Sequence, residues 1–275
     1  MISKNYFFFD IDGTIAEDNH APSSLTQYAL RQLRRLGHRI FVCTGRTMFE
    51  VYPAITSIPF DGIISGAGAN ITLGGTTLFH ATIPRDLLKE TVSRMLACNL
   101  SCFLEGTDQM HFVEGHIPMS SYTPVPTLSR MEQLDAVQNI EKFTFPVEDF
   151  AQLAPIMDFL EQHYEFYRNP AETYLEVVCK GCNKGAAITR VLNHYHAQPQ
   201  SAVAFGDSLN DCSMFQSVGT SVAMGNSPQP LLDLASMVTE TFEREGVYHA
   251  LVQLQLIPEY PFLSDPAHPA GETDL

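Results

Sequence analysis

Phe7-Phe8-Phe9-Asp10-Ile11-Asp12-Gly13-Thr14 is an apolar run that ends in two carboxylates spaced two residues apart. The aromatics read as a buried strand, and Gly13-Thr14 is a natural place for it to stop. Carboxylates just past a buried strand are costly to desolvate unless a cation or hydrogen bonds compensate them. A divalent metal with a bound anion would supply that compensation. A solvated turn, where Asp and Gly are common, would avoid the cost. The rest of the chain decides between the two.

The chain has 275 residues, enough for a sizeable core in one large domain or two smaller ones. Its hydrophobic content of 45% is that of a globular protein and argues against disorder. With 16 Lys and Arg against 31 Asp and Glu the net charge is −15, and no basic block interrupts it. That balance argues against nucleic acid or an anionic membrane as partner. It leaves room for a small anionic substrate, because a metal and a few local cations outweigh the overall field. No run approaches the roughly 18 apolar residues of a membrane span, and the N-terminus lacks a signal-peptide layout. The cysteines (43, 98, 102, 179, 182, 212) include one C-x-x-C, Cys179-Lys180-Gly181-Cys182, but not the paired knuckles of a structural zinc site. Ordinary thiols in a reduced, cytoplasmic protein are the better reading.

Working outward from the first strand (about 5–10), helical spacing of Leu25, Ala29, Leu33 and Leu36 predicts a helix near 23–36, capped by Ser23 or Ser24 and followed by Gly37. Arg39–Cys43 is the next strand, ending at Thr44-Gly45-Arg46. A helical stretch near 47–55 leads to an apolar segment at 62–65 and a Gly-rich turn. Such alternation implies right-handed β-α-β units around a parallel sheet, an α/β fold of Rossmann-like type with helices on both faces. From about 80 to 180 the pattern changes. A helix (85–98), strand-like pieces (101–105, 110–114), a Pro-rich connection (116–130), a strand (140–147), a helix (149–163) and two strands (165–168, 173–179) read as a separate α+β unit. A helix over Lys184–His194 and a buried strand Ser201–Phe205 then resume the alternation to about 257. The expected organisation is one α/β domain, 1–80 plus 181–258, interrupted by an α+β insert, 81–180. The acidic, proline-bearing tail, 259–275, is expected to be loosely held.

Four short segments sit where strands end or helices begin: Asp10–Thr14, Thr44-Gly45-Arg46, Lys184-Gly185 and Gly206-Asp207-Ser208-Leu209-Asn210-Asp211. Ligands bind at the carboxyl ends of parallel strands, so segments distant in sequence can meet in one crevice. Carboxylates, backbone N–H groups and a substrate phosphate suit Mg²⁺, and a lone lysine suits a phosphate oxygen. Each segment also has a plainer reading: Thr44-Gly45 as a turn, Lys184 as a solvated helix start, Asn210 and Asp211 as helix caps.

In order and spacing the four segments resemble the motifs of the haloacid dehalogenase superfamily of aspartyl-phosphate-forming phosphatases. Gly206-Asp207-x-x-Asn210-Asp211, the later Glu245-Gly246-Val247 and the position of the insert are similar to its Cof-type branch. The resemblance implies Asp10 as the nucleophile that takes the phosphoryl group and Asp12 as the acid and base that serves the leaving alkoxide and then water. It implies Mg²⁺ on the Asp10 carboxylate, the Asp12 carbonyl and the Asp207 carboxylate, with Asp211 behind them. Phosphate oxygens would meet the Ile11 and Gly45 N–H groups, the Thr44 hydroxyl, Lys184 and Asn210. The insert would be a lid over a small phosphorylated metabolite. Glu105, His111, Lys142, Arg168, Glu176 and Lys180 are its candidates to face substrate, whereas Phe103, Phe112, Phe159, Tyr164 and Phe166 read as core. Gly66-Ala67-Gly68-Ala69-Asn70 departs from the family's Asn-Gly-Ala turn at Ser65 or Gly66, which leaves the contacts of that turn open. Sugar phosphates lead as substrate class, beside nucleotide-like or vitamin phosphates such as pyridoxal phosphate or flavin mononucleotide. The rival readings are a phosphotransferase or mutase using the same aspartate, and a sensor that binds a phosphometabolite without turnover.

Overall fold

The computed structural model describes residues 4–119, 125–168 and 173–261. The expectation for the tail therefore falls outside the described residues beyond 261. Strands β1 (Tyr6–Phe9), β2 (Arg39–Cys43), β3 (Gly62–Ser65), β4 (Asn70–Leu73) and β5 (Thr76–His80) open the chain. There follow β6 (Cys102–Gly106), β7 (Met110–Val113), β8 (Thr127–Leu128), β9 (Ile140–Pro146), β10 (Tyr164–Arg168) and β11 (Tyr174–Cys179), and then β12 (Ala202–Gly206), β13 (Thr220–Ala223) and β14 (Met237–Val238).

One sheet has the order β14-β13-β12-β1-β2-β3-β4-β5. Its neighbours from β14 to β3 are parallel, and β3-β4-β5 run antiparallel. The aromatic run is its centre. Phe7 and Phe9 point to one face, under the helices Ser24–Arg35 and Gly246–Gln253, and Phe8 points to the other, under Lys184–His194. A strand covered on both faces has no wet side, which is why it reads as a continuous apolar run. The α/β character and the helices on both faces match the expected fold. Residues paired in register end together: Phe9 lies opposite both Phe205 and Val42, so Asp10, Asp207 and Thr44 emerge at one rim.

The other sheet, β10-β11-β9-β6-β7-β8, is mostly antiparallel. Leu104, Val113, Phe143, Phe145, Leu175 and Val177 point to one face and pack with the helices Arg85–Ala97 and Met157–His163. The opposite face carries Phe103, Glu105, Lys142, Thr144, Tyr174 and Glu176, set by the same register.

Two expected helices differ. The stretch near 47–55 is helical only over Pro53–Thr56, since proline lacks the N–H and crowds the preceding turn. Pro155 likewise splits 149–163 into a 3₁₀ segment, Phe150–Ile156, and a short α-helix, Met157–His163. The β4-β5 hairpin was not read in the sequence. Its turn is Gly74-Gly75, with φ of 53° and 82°, a pair of left-handed positions that suits a two-residue hairpin.

Candidate active site

The peptide after β1 turns sharply. The Ile11 carbonyl accepts from the N–H groups of Thr14, Ile15 and Ala16 at 3.1, 3.0 and 3.0 Å, and the Asp10 N–H donates to the Phe205 carbonyl at 3.0 Å. Ile11 itself is fully buried, so its side chain anchors the turn while its backbone stays at the rim. Gly13 has φ +74°, and a Cβ there would lie 2.5 Å from Asp207 Oδ2. Glycine is what allows Asp207 to approach the Asp10 turn.

Lys184 begins the helix Lys184–His194, whose N-cap, Asn183, accepts from the Ala186 N–H at 2.8 Å. Only 1% exposed, Lys184 is no solvated helix start. Its Nζ lies 2.9 Å from Asp10 Oδ1 and 2.6 Å from Asp211 Oδ1. The other oxygen of Asp211 accepts the N–H groups of Asp207 and Ser208 at 2.9 and 3.0 Å. Asp211 thus spends both oxygens on holding the loop and the lysine, although carboxylate oxygens of Asp10, Asp207 and Asp211 all lie within 4.8 Å of one another.

So many buried carboxylates crowd one another. Burial drives the Asp10 carboxyl well above its ordinary range against the pull of Lys184, and Asp211 and Asp207 add to the rise. Burial and then Asp211 bring Asp207 to about 7. Burial opposes the charge of Lys184, but Asp10 and Asp211 overcome it and raise its pKa. The cluster is short of positive charge, and although Asp10 Oδ1 meets Lys184 and Asp207 Oδ1 accepts the Thr14 hydroxyl at 3.4 Å, both residues offer hard carboxylate oxygens to a cation. That combination fits Mg²⁺.

Asp12 receives a two-pronged contact from Arg46, Nη2 to Oδ1 and Nε to Oδ2, both at 2.7 Å. Arg46 belongs to the Thr-Gly-Arg segment but was given no role by sequence reasoning; its place directly after Thr44-Gly45 was the available signal. The Thr44 hydroxyl accepts the Arg46 N–H at 3.1 Å, and the Asn210 amide donates to Glu176 Oε2 at 3.2 Å. Asp10, Asp12, Thr44, Gly45, Asp207 and Asn210 all line one cavity of about 1020 Å³, with Lys184 and Asp211 buried against its floor.

Three of the six candidates on the second sheet, Glu105, Lys142 and Glu176, line the same cavity, together with Phe103 and Tyr174. His111 and Arg168 do not. Their register opposite Leu104 and Leu175 turns them to the helix-packed face, where Arg168 lies over the Phe150 ring at 4.3 Å. Lys180 lies past the end of β11 and donates to the Gln162 carbonyl at 2.8 Å. Phe112, Phe159 and Tyr164 are buried and Phe166 packs against the core, as expected; Phe103 instead borders the cavity. The Gly66–Asn70 turn abuts Glu141 of β9, to which Asn70 donates at 3.2 Å, and contributes nothing to the cavity lining.

This arrangement of an aspartate-rich rim on a parallel sheet defines a class. The sequence model of the haloacid dehalogenase-like hydrolases matches residues 7–251, and the chain belongs to that family of enzymes. YkrA of Bacillus subtilis is 27% identical over 266 residues, spanning 93% of this chain and all of the relative. An HMP-PP phosphatase of Yersinia pseudotuberculosis is 29% identical over 255 residues, 88% of this chain and 92% of its own length. Among solved structures, BT1666 of Bacteroides thetaiotaomicron, a phosphatase of the same superfamily, superposes with a TM-score of 0.81 at 23% identity, covering 92% of this chain and 96% of that one. The sugar phosphatase BT4131 does so at 0.79 and 23%, covering 92% and 100%. At those identities the superpositions speak to the fold.

Proposed function

We propose that the protein is a Mg²⁺-dependent phosphatase that hydrolyses a small phosphomonoester through a phospho-aspartate on Asp10. The observation that carries this reading is the convergence of Asp10, Asp207 and Lys184, from three separate stretches of chain, within one cluster at the cavity floor. Phosphatase names among the relatives, and a sugar phosphatase among the structural neighbours, support it.

Asp10 attacks phosphorus, and Lys184 beside it offsets negative charge on Asp10 and on the incoming phosphoryl oxygens. Thr44, the Ile11 and Gly45 N–H groups and Asn210 hold those oxygens. Mg²⁺, held by the Asp10 and Asp207 carboxylates and the Asp12 carbonyl, would neutralise charge shared between enzyme and phosphate. Asp211 orients the Asp207 loop behind them. Asp12 gives a proton to the leaving oxygen and later takes one from water. The Arg46 fork occupies one edge of that carboxylate and leaves its remaining lone pairs open to the leaving oxygen and then to water. The α+β insert, 81–180, is the cap over a core formed by 1–80 and 181–258, and its cavity-lining face meets the leaving group.

Sugar phosphates are the leading substrates, and the free thiols of Cys43, Cys98, Cys102, Cys179, Cys182 and Cys212 support a cytoplasmic setting. Purified protein is expected to release phosphate from p-nitrophenyl phosphate with Mg²⁺, to stop when EDTA is added, and to fall by on the order of a thousandfold or more in Asp10→Asn. Unchanged turnover in that variant overturns the reading. Phosphate passing to an added alcohol instead of water identifies a phosphotransferase. Binding of phosphometabolites with no turnover of any identifies a sensor.

A further inference from the structure

Lys142 is a cationic side chain of the cavity wall, and it has no hydrogen left to offer a substrate. An ammonium has three donors. Those of Lys142 have three acceptors in reach: Glu176 Oε1 at 2.6 Å, Glu105 Oε2 at 3.0 Å and the Gly45 carbonyl at 3.1 Å. The two carboxyl groups belong to the second sheet, but the carbonyl belongs to the Thr44-Gly45 turn of the first. Glu176 crosses the same boundary. One of its oxygens takes Lys142, and the other takes the Asn210 amide at 3.2 Å. A Cβ on Gly45 would lie 2.9 Å from Glu176 Oε1 and 3.3 Å from Asn210 Nδ2, so the three groups are in close apposition. Lys142 and Glu176 are 6% and 5% exposed, which keeps bulk water from competing for these bonds.

The residues they grip, Gly45 and Asn210, are two of the groups assigned above to the phosphate oxygens. We infer that Lys142 and Glu176 are positioning residues of the phosphate site: the second sheet uses them to hold the Gly45 turn and the Asn210 amide in place, and leaves recognition of the leaving group to other side chains. The inference rests on the proposed phosphatase reading. It separates the polar residues of the cap face into two tasks. The Asn210 amide has two N–H donors; Glu176 takes one and aims the other at the phosphoryl group. Gly45 keeps its N–H for phosphate because Lys142 fixes the carbonyl of the same residue.

A residue that acts on the phosphate site changes every substrate alike, whereas one that touches the leaving group changes the ratios between substrates. The test uses the Mg²⁺-loaded protein and the variants Glu176→Gln and Lys142→Met. It measures KM and kcat for p-nitrophenyl phosphate and for several larger phosphomonoesters, and the affinity for inorganic phosphate by titration calorimetry. The account expects KM for all substrates and the dissociation constant for phosphate to rise together by roughly tenfold, since each lost bond is to a charged group. Lys142→Arg recovers part of that loss. Loss confined to some leaving groups, with phosphate affinity unchanged, overturns the inference, and so does no change in either quantity. If wild type binds phosphate but turns over nothing, the phosphatase reading fails while phosphate affinity in the variants still decides this one. Glu176→Gln preserves side-chain volume. Should Lys142→Met not fold, Glu176→Gln with Lys142→Arg carries the same readout.

Discussion

The two sheets present their chemistry in opposite ways. The first places it at strand ends: β1, β2 and β12 are buried and apolar apart from Arg39 at the start of β2, and Asp10, Thr44 and Asp207 sit where they stop. The second places it along the strands, on alternate residues of β6, β9 and β11, with the other alternate residues packed under helices. A strand buried on both faces admits polar side chains only at its ends, while one with a single covered face admits them at every second position. The first arrangement concentrates charge in one fixed cluster. The second spreads polar groups over a wall, where neighbours on adjacent strands can satisfy one another.

That difference sets how damaging a single substitution is. At the first sheet's rim, Lys184→Met removes the cation placed between buried Asp10 and Asp211. Breaking a buried network by deleting one partner typically costs about 3–5 kcal/mol. Urea unfolding should show a loss of that order, together with a collapse of phosphatase activity. A variant as stable and as active as wild type would show that the cluster does not depend on the lysine.

On the second sheet's wall the effect is smaller and depends on pH. Burial, opposed by Lys142 and assisted by the neighbouring Glu50, holds Glu105 at about 8, well above the ordinary carboxylate range. Between that range and about 8 the native state holds a proton on Glu105 that the unfolded chain has released. Its stabilising contribution is therefore complete in mild acid and is lost as pH rises through about 8, at no more than about 1.4 kcal/mol per pH unit. Thermal unfolding from pH 5 to 9 should fall less steeply for Glu105→Gln than for wild type. Parallel curves would mean that Glu105 is charged throughout.

The smallest effect belongs to the residue that register turns away. Arg168→Ala removes a stacking contact with Phe150 on the far side of the same sheet. It should cost up to about 1 kcal/mol of stability and leave kcat/KM within about twofold of wild type. A tenfold fall would place Arg168 in the path of the substrate after all.

The same contrast explains what could be read from sequence. Asp10-Ile11-Asp12 and Gly206-Asp207 announce themselves because carboxylates directly after apolar runs are rare and costly, and the strands and helices around them follow from periodicity. Lys184 was legible only through the company of the other motifs, since a lysine at a helix start is ordinary. The wall was harder. Glu105, Lys142 and Glu176 looked no different from His111 or Arg168 until pairing register assigned each a face. Yet alternation within Leu175-Glu176-Val177 and Lys142-Phe143-Thr144-Phe145 already carried that information. What no single strand could reveal was that Lys142 and Glu176 reach the turn at Gly45 and the amide of Asn210. Those bonds join segments about 34 to 97 residues apart. Arg46 was hidden for the same reason: its partner, Asp12, lies 34 residues earlier.

Everything at the rim turns on Asp10 carrying the phosphoryl group. Rapid acid quench of the Mg²⁺-loaded enzyme during turnover of p-nitrophenyl phosphate, followed by peptide mass spectrometry, reads this directly. The account predicts one phosphoryl group on the peptide containing Asp10, trapped in greater amount when Asp12→Asn slows attack by water. Label on another residue, or substrate turnover with no labelled aspartate at any quench time, would contradict it.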